Sequence, residues 1–279
     1  MKNLKKITAC FLSIILVLST LLVLPVTASA ANDEGEALAS GVSGDCTWTL
    51  YGQKLYISGN GRMADYSRDK KAPWISWWGS DISTLVISEG VTYIGAYAFF
   101  DCWNLTDVTL PESSLTEIGD YAFNLCESLT QFTIPDSVKK IGQEAFAQCT
   151  YLSEVNGSGD FTYMGSDAFL DTAWLRYYPK GLVMLGKTLV GVSGTLVEGE
   201  VEIPDGTVLI AVDAMEDQQN ITSVKLPESI RYIGASAFVN CSKLKEINLP
   251  NGLIELGTGA FTCSGLTSVV LPDKIKRIG

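Results

Sequence analysis

The chain has 279 residues, with 31 acidic and 20 basic side chains, no histidine and a formal net charge of −11. Without histidine it has no Ser-His-Asp or Cys-His catalytic group and no imidazole metal site. The acidic balance is unfavourable for a nucleic-acid or anionic-membrane partner held by bulk charge, so we expect no nucleic-acid partner. A content of 47% hydrophobic and 18% charged residues predicts a folded core and excludes a disordered chain.

The chain begins with a targeting segment. Lysines at positions 2, 5 and 6 precede an apolar run over 7–26, and residues 28–30 read Ala-Ser-Ala. This pattern predicts a secretory signal peptide over 1–30, and a mature protein that is secreted or held at the cell surface without membrane insertion. An uncleaved anchor is the alternative, because the apolar run is long enough to span a bilayer. Cleavage removes three lysines and no acids, which takes the charge from −11 to −14.

Residues 31–81 are expected to form a linker and a small β cap, with short strands at 48–50 and 55–59. Aromatic residues cluster in this region. Buried rings would seal the first repeat, whereas exposed rings would stack on sugars or anchor a partner. The cluster consists of Trp48, Tyr51, Tyr56, Tyr66, Trp74, Trp77 and Trp78.

From residue 82 to 279 the chain is built from repeats. A typical repeat has an Ile-Gly pair, an Ala-Phe pair three residues further on, and often a cysteine soon after the phenylalanine. The phenylalanine recurs with a period of about 23 residues, with one gap of three periods. The phenylalanines of this predicted structural ladder are Phe99, Phe123, Phe146, Phe169, Phe238 and Phe261.

Residues 129–149 form one such repeat. The L-x-x-F-x-I pattern of 129–134 alternates inward and outward side chains, as a half-buried strand requires. Pro135 ends the strand, because proline has no N–H for a ladder. Gly142 is expected to supply a permissive turn and 144–149 a short helical segment. One turn cannot bury its apolar face alone, so neighbouring turns must stack into a continuous core.

The string at 134–149, I-P-D-S-V-x-x-I-G-x-x-A-F-x-x-C, resembles the BspA-type leucine-rich repeat of bacterial surface and secreted proteins, and the resemblance covers about residues 82–279. It implies a β-rich, right-handed leucine-rich-repeat solenoid with short helical segments, turns of about 23 residues and a small β N-terminal cap. The family includes adhesins and host-binding proteins, which implies a binding role without identifying a ligand.

One segment, at about 176–200, departs from the repeat. Two strand-like runs, 181–185 and 188–192, flank Gly186-Lys187, and a two-residue loop with glycine first favours a hairpin. We interpret this segment as a hairpin-bearing insert that leaves the solenoid, as similar inserts do in the resembling family. A degenerate repeat of the same length is the alternative.

The cysteines follow the repeat as well. Five of them are predicted to form a buried ladder of small apolar side chains, because parallel Cβ vectors are poorly suited to disulfides. No C-x-x-C pair occurs, so we predict neither a metal site nor a cofactor. The predicted ladder consists of Cys102, Cys126, Cys149, Cys241 and Cys263.

The outward positions of the predicted strands are rich in hydroxyl and charged side chains. They are a candidate platform for a protein or a glycan, or they simply keep the sheet soluble. Asp107 and Glu154 would lie two turns apart, about 10 Å, just beyond the spacing of an inverting glycosidase pair, so we predict no catalytic residue. The candidate binding residues are Thr106, Asp107, Thr130, Gln131, Ser153, Glu154, Thr222, Ser223, Lys245 and Glu246.

These patterns predict a non-enzymatic, secreted or cell-surface module that binds an extracellular protein or glycan. The alternative is a structural spacer or accessory module of a larger secreted protein, possibly a carbohydrate-active enzyme. That alternative is motivated by the chain end at Ile278-Gly279, where an Ala-Phe block and a polar cap would be expected to follow.

Overall fold

The computed structural model describes residues 35–75, 81–196 and 198–279. The predicted signal peptide, residues 1–30, lies outside them, as do Trp77 and Trp78. Residues Glu36–Gly279 form one compact unit. In the described part of the chain, no helix has both the length and the apolar character needed to cross a membrane.

The solenoid starts with a small antiparallel meander. Its strands β1 (Ala39–Ser43), β2 (Cys46–Tyr51) and β3 (Lys54–Gly59) pair in chain order. The inward side chains of β2 and β3 are buried and include Trp48 and Leu55. Because β3 pairs in parallel with the first repeat strand, the meander continues directly into the repeats.

Each regular repeat contributes one strand to each of two parallel ladders. The first ladder extends from β3 and has three sections: β5–β7, β9–β11 and β15–β17–β19. The strands are β5 (Thr84–Ile87), β7 (Asp107–Thr109), β9 (Gln131–Thr133), β11 (Glu154–Asn156), β15 (Gly199–Glu202), β17 (Ile221–Lys225) and β19 (Glu246–Ile247).

The second ladder consists mostly of two-residue strands in parallel register, in two sections, β4 to β12 and β14 to β21. It comprises β4 (Gly61–Arg62), β6 (Val91–Ile94), β8 (Glu117–Ile118), β10 (Lys140–Ile141), β12 (Tyr163–Met164), β14 (Thr188–Ser193), β16 (Leu209–Ile210), β18 (Tyr232–Ile233), β20 (Glu255–Leu256) and β21 (Arg277–Ile278).

The core lies between the ladders. Along β9 the alternation is the predicted one, since Phe132 is buried and its neighbours Gln131 and Thr133 are exposed. In the second ladder Ile118 and Ile141 are fully buried, and the residue before each points outward. The leucine-rich-repeat solenoid fold is therefore confirmed, and its turns follow the period that the sequence predicts.

The predicted helical segments are replaced by stacked turns. Three amides of one turn donate along the solenoid to the next, as when Tyr121, Phe123 and Leu125 donate to the carbonyls of 143, 145 and 147 at 2.9, 2.8 and 3.0 Å. Tyr121 and Leu125 have positive φ angles of 57° and 63°. Because residues with positive φ alternate with residues of ordinary φ, these N–H groups point towards the neighbouring turn. In a helix they would instead donate to carbonyls within their own segment. A short α-helix, α1, spans Ala173–Arg176.

The phenylalanines stack as predicted through the first four repeats. Successive ring centroids from Phe99 to Phe169 are 5.2, 5.3 and 5.2 Å apart. Trp74 extends the stack at its N-terminal end, 5.7 Å from Phe99, and its indole N–H donates to the carbonyl of Ala98 at 2.8 Å. Trp74 thus seals the first repeat. Phe238 and Phe261 form a second stack in the later repeats, 5.6 Å apart.

A hairpin occupies the segment that departs from the repeat. It consists of β13 (Gly181–Leu185) and the longer strand β14, which pair antiparallel around Gly186 and Lys187. However, Thr188 and Leu189 also pair in parallel with Leu209 and Ile210 of β16, and Leu189 is fully buried. The predicted hairpin is therefore present, but its second strand begins the C-terminal section of the second ladder instead of leaving the solenoid.

Candidate functional site

The ten predicted binding residues form the outward side of the first ladder, which we call the strand face. Eight of them are exposed, whereas Thr222 and Ser223 are half-buried. Gln131 lies directly opposite Glu154 in the parallel register, and Ser223 lies opposite Glu246. Asp107 belongs to a different ladder section from Glu154. The structure therefore brings the predicted residues together in sections, not as one continuous row.

Hydrogen bonds fix several side chains of the strand face. The Thr106 hydroxyl donates to Asp107 Oδ2 at 2.7 Å, and the Asn156 amide donates to Glu154 Oε1 at 2.8 Å. Lys225 Nζ lies 2.6 Å from Glu202 Oε1. These partners hold the carboxylates in place on the surface, where they offer acceptor oxygens to a ligand.

A groove of about 900 Å³ follows the C-terminal section of the strand face. Its walls contain charges of both signs and amide and hydroxyl groups. Such a surface suits a polar partner of matching charge pattern better than a small apolar ligand. The polar residues along it include Ser223, Lys225, Lys245, Glu246, Asn248 and Ser268.

A second concave site lies on the outward side of the second ladder, and we call it the tyrosine groove. It has a volume of about 650 Å³. Residues from both sections of the ladder line it together, so the two sections face each other across it. The side chains that define it are Glu117, Lys140, Tyr163, Tyr232, Glu255 and Arg277.

These six residues share one repeat position, immediately before the apolar residue of a second-ladder strand. That apolar residue is buried in each of these strands except β21, where Ile278 is exposed. Glu117, Lys140 and Tyr163 are successive register partners in one section. Tyr232, Glu255 and Arg277 are successive partners in the other. The repeat period is enough to predict each row of three residues. It does not predict that the two rows line one groove, because this depends on the curvature of the solenoid.

Neighbouring contacts order the ends of the groove. The Tyr93 hydroxyl donates to Asp65 Oδ1 at 2.6 Å, and the Arg62 guanidinium lies over the Tyr93 ring, 3.7 Å from its centroid. Arg62 also pairs with Glu117 at 3.3 Å, while Arg277 pairs with Glu255 at the other end. Burial, and then the charges of Asp120 and Asp213, raise the pKa of Tyr163, so its hydroxyl stays protonated at neutral pH.

The profile of the BspA type leucine-rich repeat region matches residues 76–179 and 197–279 in six copies, about two thirds of the chain. The chain belongs to the BspA-type leucine-rich repeat family. None of the curated proteins matches its sequence.

Solved structures similar to this BspA-type chain include two leucine-rich repeat proteins and one pneumococcal vaccine antigen. A leucine-rich cell surface protein from Faecalibacterium prausnitzii is 21% identical, with a TM-score of 0.36; 89% of this chain and 86% of that chain are covered. A leucine-rich repeat protein from Eubacterium ventriosum is 18% identical, with a TM-score of 0.37 and coverages of 86% and 94%. The pneumococcal vaccine antigen PcpA is 16% identical, with a TM-score of 0.37 and coverages of 86% and 78%.

The cysteines of this BspA-type solenoid are free thiols within the described residues. Cys126, Cys149 and Cys241 donate to the carbonyl of the residue at the phenylalanine position one turn earlier, at 3.2, 3.1 and 3.2 Å. Burial raises the pKa of Cys102 to about 12 and that of Cys241 to about 11. These thiols are packing elements and poor nucleophiles.

The prediction of a buried cysteine ladder is wrong for Cys263, which is exposed. It follows Phe261 by two residues, whereas the other four ladder cysteines follow their phenylalanine by three. The structure accordingly places it at the exposed positive-φ position of its turn, with φ 55°. Ser264 takes the ladder position in that repeat, as Thr172 does after Phe169.

Acidic side chains gather on the stacked-turn side, next to the hairpin. Burial first, and then neighbouring carboxylates, raise the pKa values of Asp167, Asp213 and Glu216. No group of His, Cys, Asp or Glu within 35–75, 81–196 and 198–279 is arranged to hold a metal ion. The neighbouring carboxylates of this cluster therefore disfavour one another's charged forms.

Proposed function

We propose that this BspA-type chain is a secreted or cell-surface, non-enzymatic module that binds an extracellular protein or glycan through its strand face. The main support is the exposure of the predicted strand-face residues on a rigid, register-fixed ladder. The signal-peptide pattern at 1–30 supports export. A fold of this kind offers a large, ordered surface without any loop that must be organised on binding.

The character of the strand face favours a protein over a glycan. The face carries acidic, basic and hydroxyl groups, with Lys245 and Glu246 adjacent in the sequence. Charge patterns of both signs give specificity and faster association with a complementary protein surface. Aromatic rings, the usual platforms for sugars, do not occur among the ten predicted residues of the face.

The experiment is capture with the mature protein, residues 31–279, from an extracellular fraction of its natural environment. The captured partner is then purified and its affinity measured. Glu246→Lys on the strand face should weaken binding at least about fivefold, because it reverses a charge within the contact. Glu228→Lys is the control, since Glu228 is equally exposed but lies in a turn off the face.

Equal affinity of the wild-type, Glu246→Lys and Glu228→Lys proteins would exclude the strand face as the binding surface. Failure of the folded protein to retain any partner would contradict the binding role itself.

A further inference from the structure

The tyrosine groove is a concave surface that lies apart from the strand face and has no role in the proposed function. Tyr163 is 45% exposed there, and Tyr232, from the opposite section of the ladder, is half-buried. Both rings also line an adjoining cavity of about 710 Å³, so the groove is continuous with a second cavity. Volumes of this size are typical of pockets that hold small ligands.

The charges along the groove are nearly balanced. Glu117, Asp120 and Glu255 contribute carboxylates, whereas Lys140 and Arg277 contribute cations. Two of the carboxylates are already paired with arginines, Glu117 with Arg62 and Glu255 with Arg277. A strongly anionic chain would meet three carboxylates, so the lining favours a neutral ligand rich in hydrogen-bonding groups.

The backbone of the groove argues against an extended peptide. A peptide that adds to a sheet needs a free strand edge. Here β10 is paired on both sides, with β8 and β12, and β18 is paired on both sides, with β16 and β20. These central strands offer side chains and no edge. The strands that end the two sections at the groove, β12 and β21, have only two residues each, too few to pair with an extended peptide. The charged residues between the tyrosines likewise make it a poor groove for the apolar face of a helix.

We propose that the tyrosine groove binds a neutral oligosaccharide chain. Tyr163 and Tyr232 supply aromatic surfaces from two walls on which the C–H faces of sugar rings pack. Glu117, Lys140, Glu255 and Arg277 supply acceptors and donors for the ring hydroxyls. The groove and the adjoining cavity, about 650 and 710 Å³, offer room for more than one sugar unit, and this site acts separately from the strand face.

The test is isothermal titration of the mature protein, residues 31–279, with cellohexaose, laminarihexaose, maltohexaose and mannohexaose, and with polygalacturonate as the anionic comparison. At least one neutral hexasaccharide should bind, and more tightly than polygalacturonate. Tyr163→Ala and Tyr232→Ala should each weaken binding about three- to tenfold, the loss expected for one aromatic contact.

Controls separate loss of contact from loss of fold. Tyr163→Phe retains the ring and should keep most of the affinity. Tyr151→Ala removes a 68% exposed tyrosine that does not line the groove and should leave affinity unchanged. Glu246→Lys, which tests the strand face, should also leave sugar binding unchanged, so the two proposals can fail independently.

Absence of binding to all four neutral sugars would overturn the proposal. So would tighter binding of polygalacturonate, or equal affinity of the wild-type, Tyr163→Ala and Tyr232→Ala proteins for the sugar that binds.

Discussion

The regular repeat at 129–149 and the hairpin turn at 173–203 solve the same packing problem with different sequences. In the regular repeat, the first-ladder strand β9 and the second-ladder strand β10 follow each other within one turn. In the hairpin turn α1 and β13 replace the first-ladder strand, and the first ladder is interrupted there. The second ladder is also interrupted, between β12 and β14, but it resumes within the hairpin, because Thr188 and Leu189 of β14 pair with β16. The first ladder resumes only after the hairpin, with β15, so this turn keeps a second-ladder strand and lacks a first-ladder one.

Deleting residues 181–194 should have the largest effect. The deletion removes β14 and the buried Leu189 and leaves β16 with β18 as its one remaining partner, so we expect loss of cooperative folding. Circular dichroism and thermal unfolding check this. A folded, cooperative deletion variant would show that the hairpin is dispensable.

The substitution Leu189→Ala is a finer test of the same strand. It should lower the free energy of unfolding by about 2–5 kcal/mol, because Leu189 is fully buried. The same change at the half-buried Leu182 should lower it by less.

Reactivity with a thiol reagent should distinguish the buried ladder cysteines from the exposed Cys263. In the folded mature protein Cys263 should react with a thiol reagent at once, because it is exposed. Cys102, Cys126, Cys149 and Cys241 are buried and need unfolding, which slows their reaction by about 1000-fold for an opening free energy of about 4 kcal/mol. Mass spectrometry of the labelled peptides gives the answer. Rapid labelling of Cys126 or Cys149 would show that the regular repeats open locally.

A glycine substitution should distinguish the two kinds of turn. A Cβ on Gly165 in a regular repeat would lie 2.5 Å from the Gln143 amide nitrogen, whereas one on Gly191 in β14 would have its nearest contact at 4.0 Å. Gly165→Ala should therefore lower the unfolding free energy by about 1–3 kcal/mol, while Gly191→Ala stays near neutral. Denaturant titration measures both. Equal effects would show that the backbones of neighbouring regular turns can move apart at little cost in free energy of unfolding.

The acidic cluster beside the hairpin should give the smallest effect. A raised carboxyl pKa means that the folded state binds more protons than the unfolded state, so stability falls as pH rises from below about 4 through the raised value. Asp213→Asn should flatten that fall and stabilise the protein at pH 7 by about 0.5 kcal/mol, since the site is partly exposed. Thermal unfolding across pH 4 to about 7 tests it.

Asp101→Asn is the matched control for that experiment. Asp101 has a positive φ of 64°, close to the 58° of Asp213, but lies outside the cluster, so any backbone benefit of asparagine is the same. A stabilisation of equal size and equal pH dependence in both variants would rule out charge repulsion as its cause.

The repeat period was enough to predict the solenoid, the strand face and the phenylalanine stack, because stacking imposes the same burial on equivalent positions. Gly142 shows a feature that the local sequence does not reveal. We expected a permissive turn, but its φ is not positive, and a Cβ there would clash with the backbone of Asp120 in the previous turn. Close approach between turns, and not conformational freedom, demands glycine at this position.

The helical prediction at 144–149 was wrong for a related reason. Apolar residues three apart, such as Phe146 and Cys149, fit a helix and a stacked turn equally well. The positive φ angles at Glu144 and Gln148 decide between them, and neither residue type indicates such a backbone in advance. The tyrosine groove could not be predicted either, because it joins Tyr163 to Tyr232 across a curvature that no local pattern encodes.

The hydrogen bonds between stacked turns, such as Phe146 N–H to the Ala168 carbonyl at 2.8 Å, run along the solenoid axis. A force that pulls the two ends apart therefore loads the interfaces between turns in series. We expect the protein to open one turn at a time when stretched. Each event would release about 75 Å, since a turn of about 23 residues spans about 80 Å when extended but advances only about 5 Å along the stack. Such a molecule would lengthen in steps under tension instead of giving way in a single event.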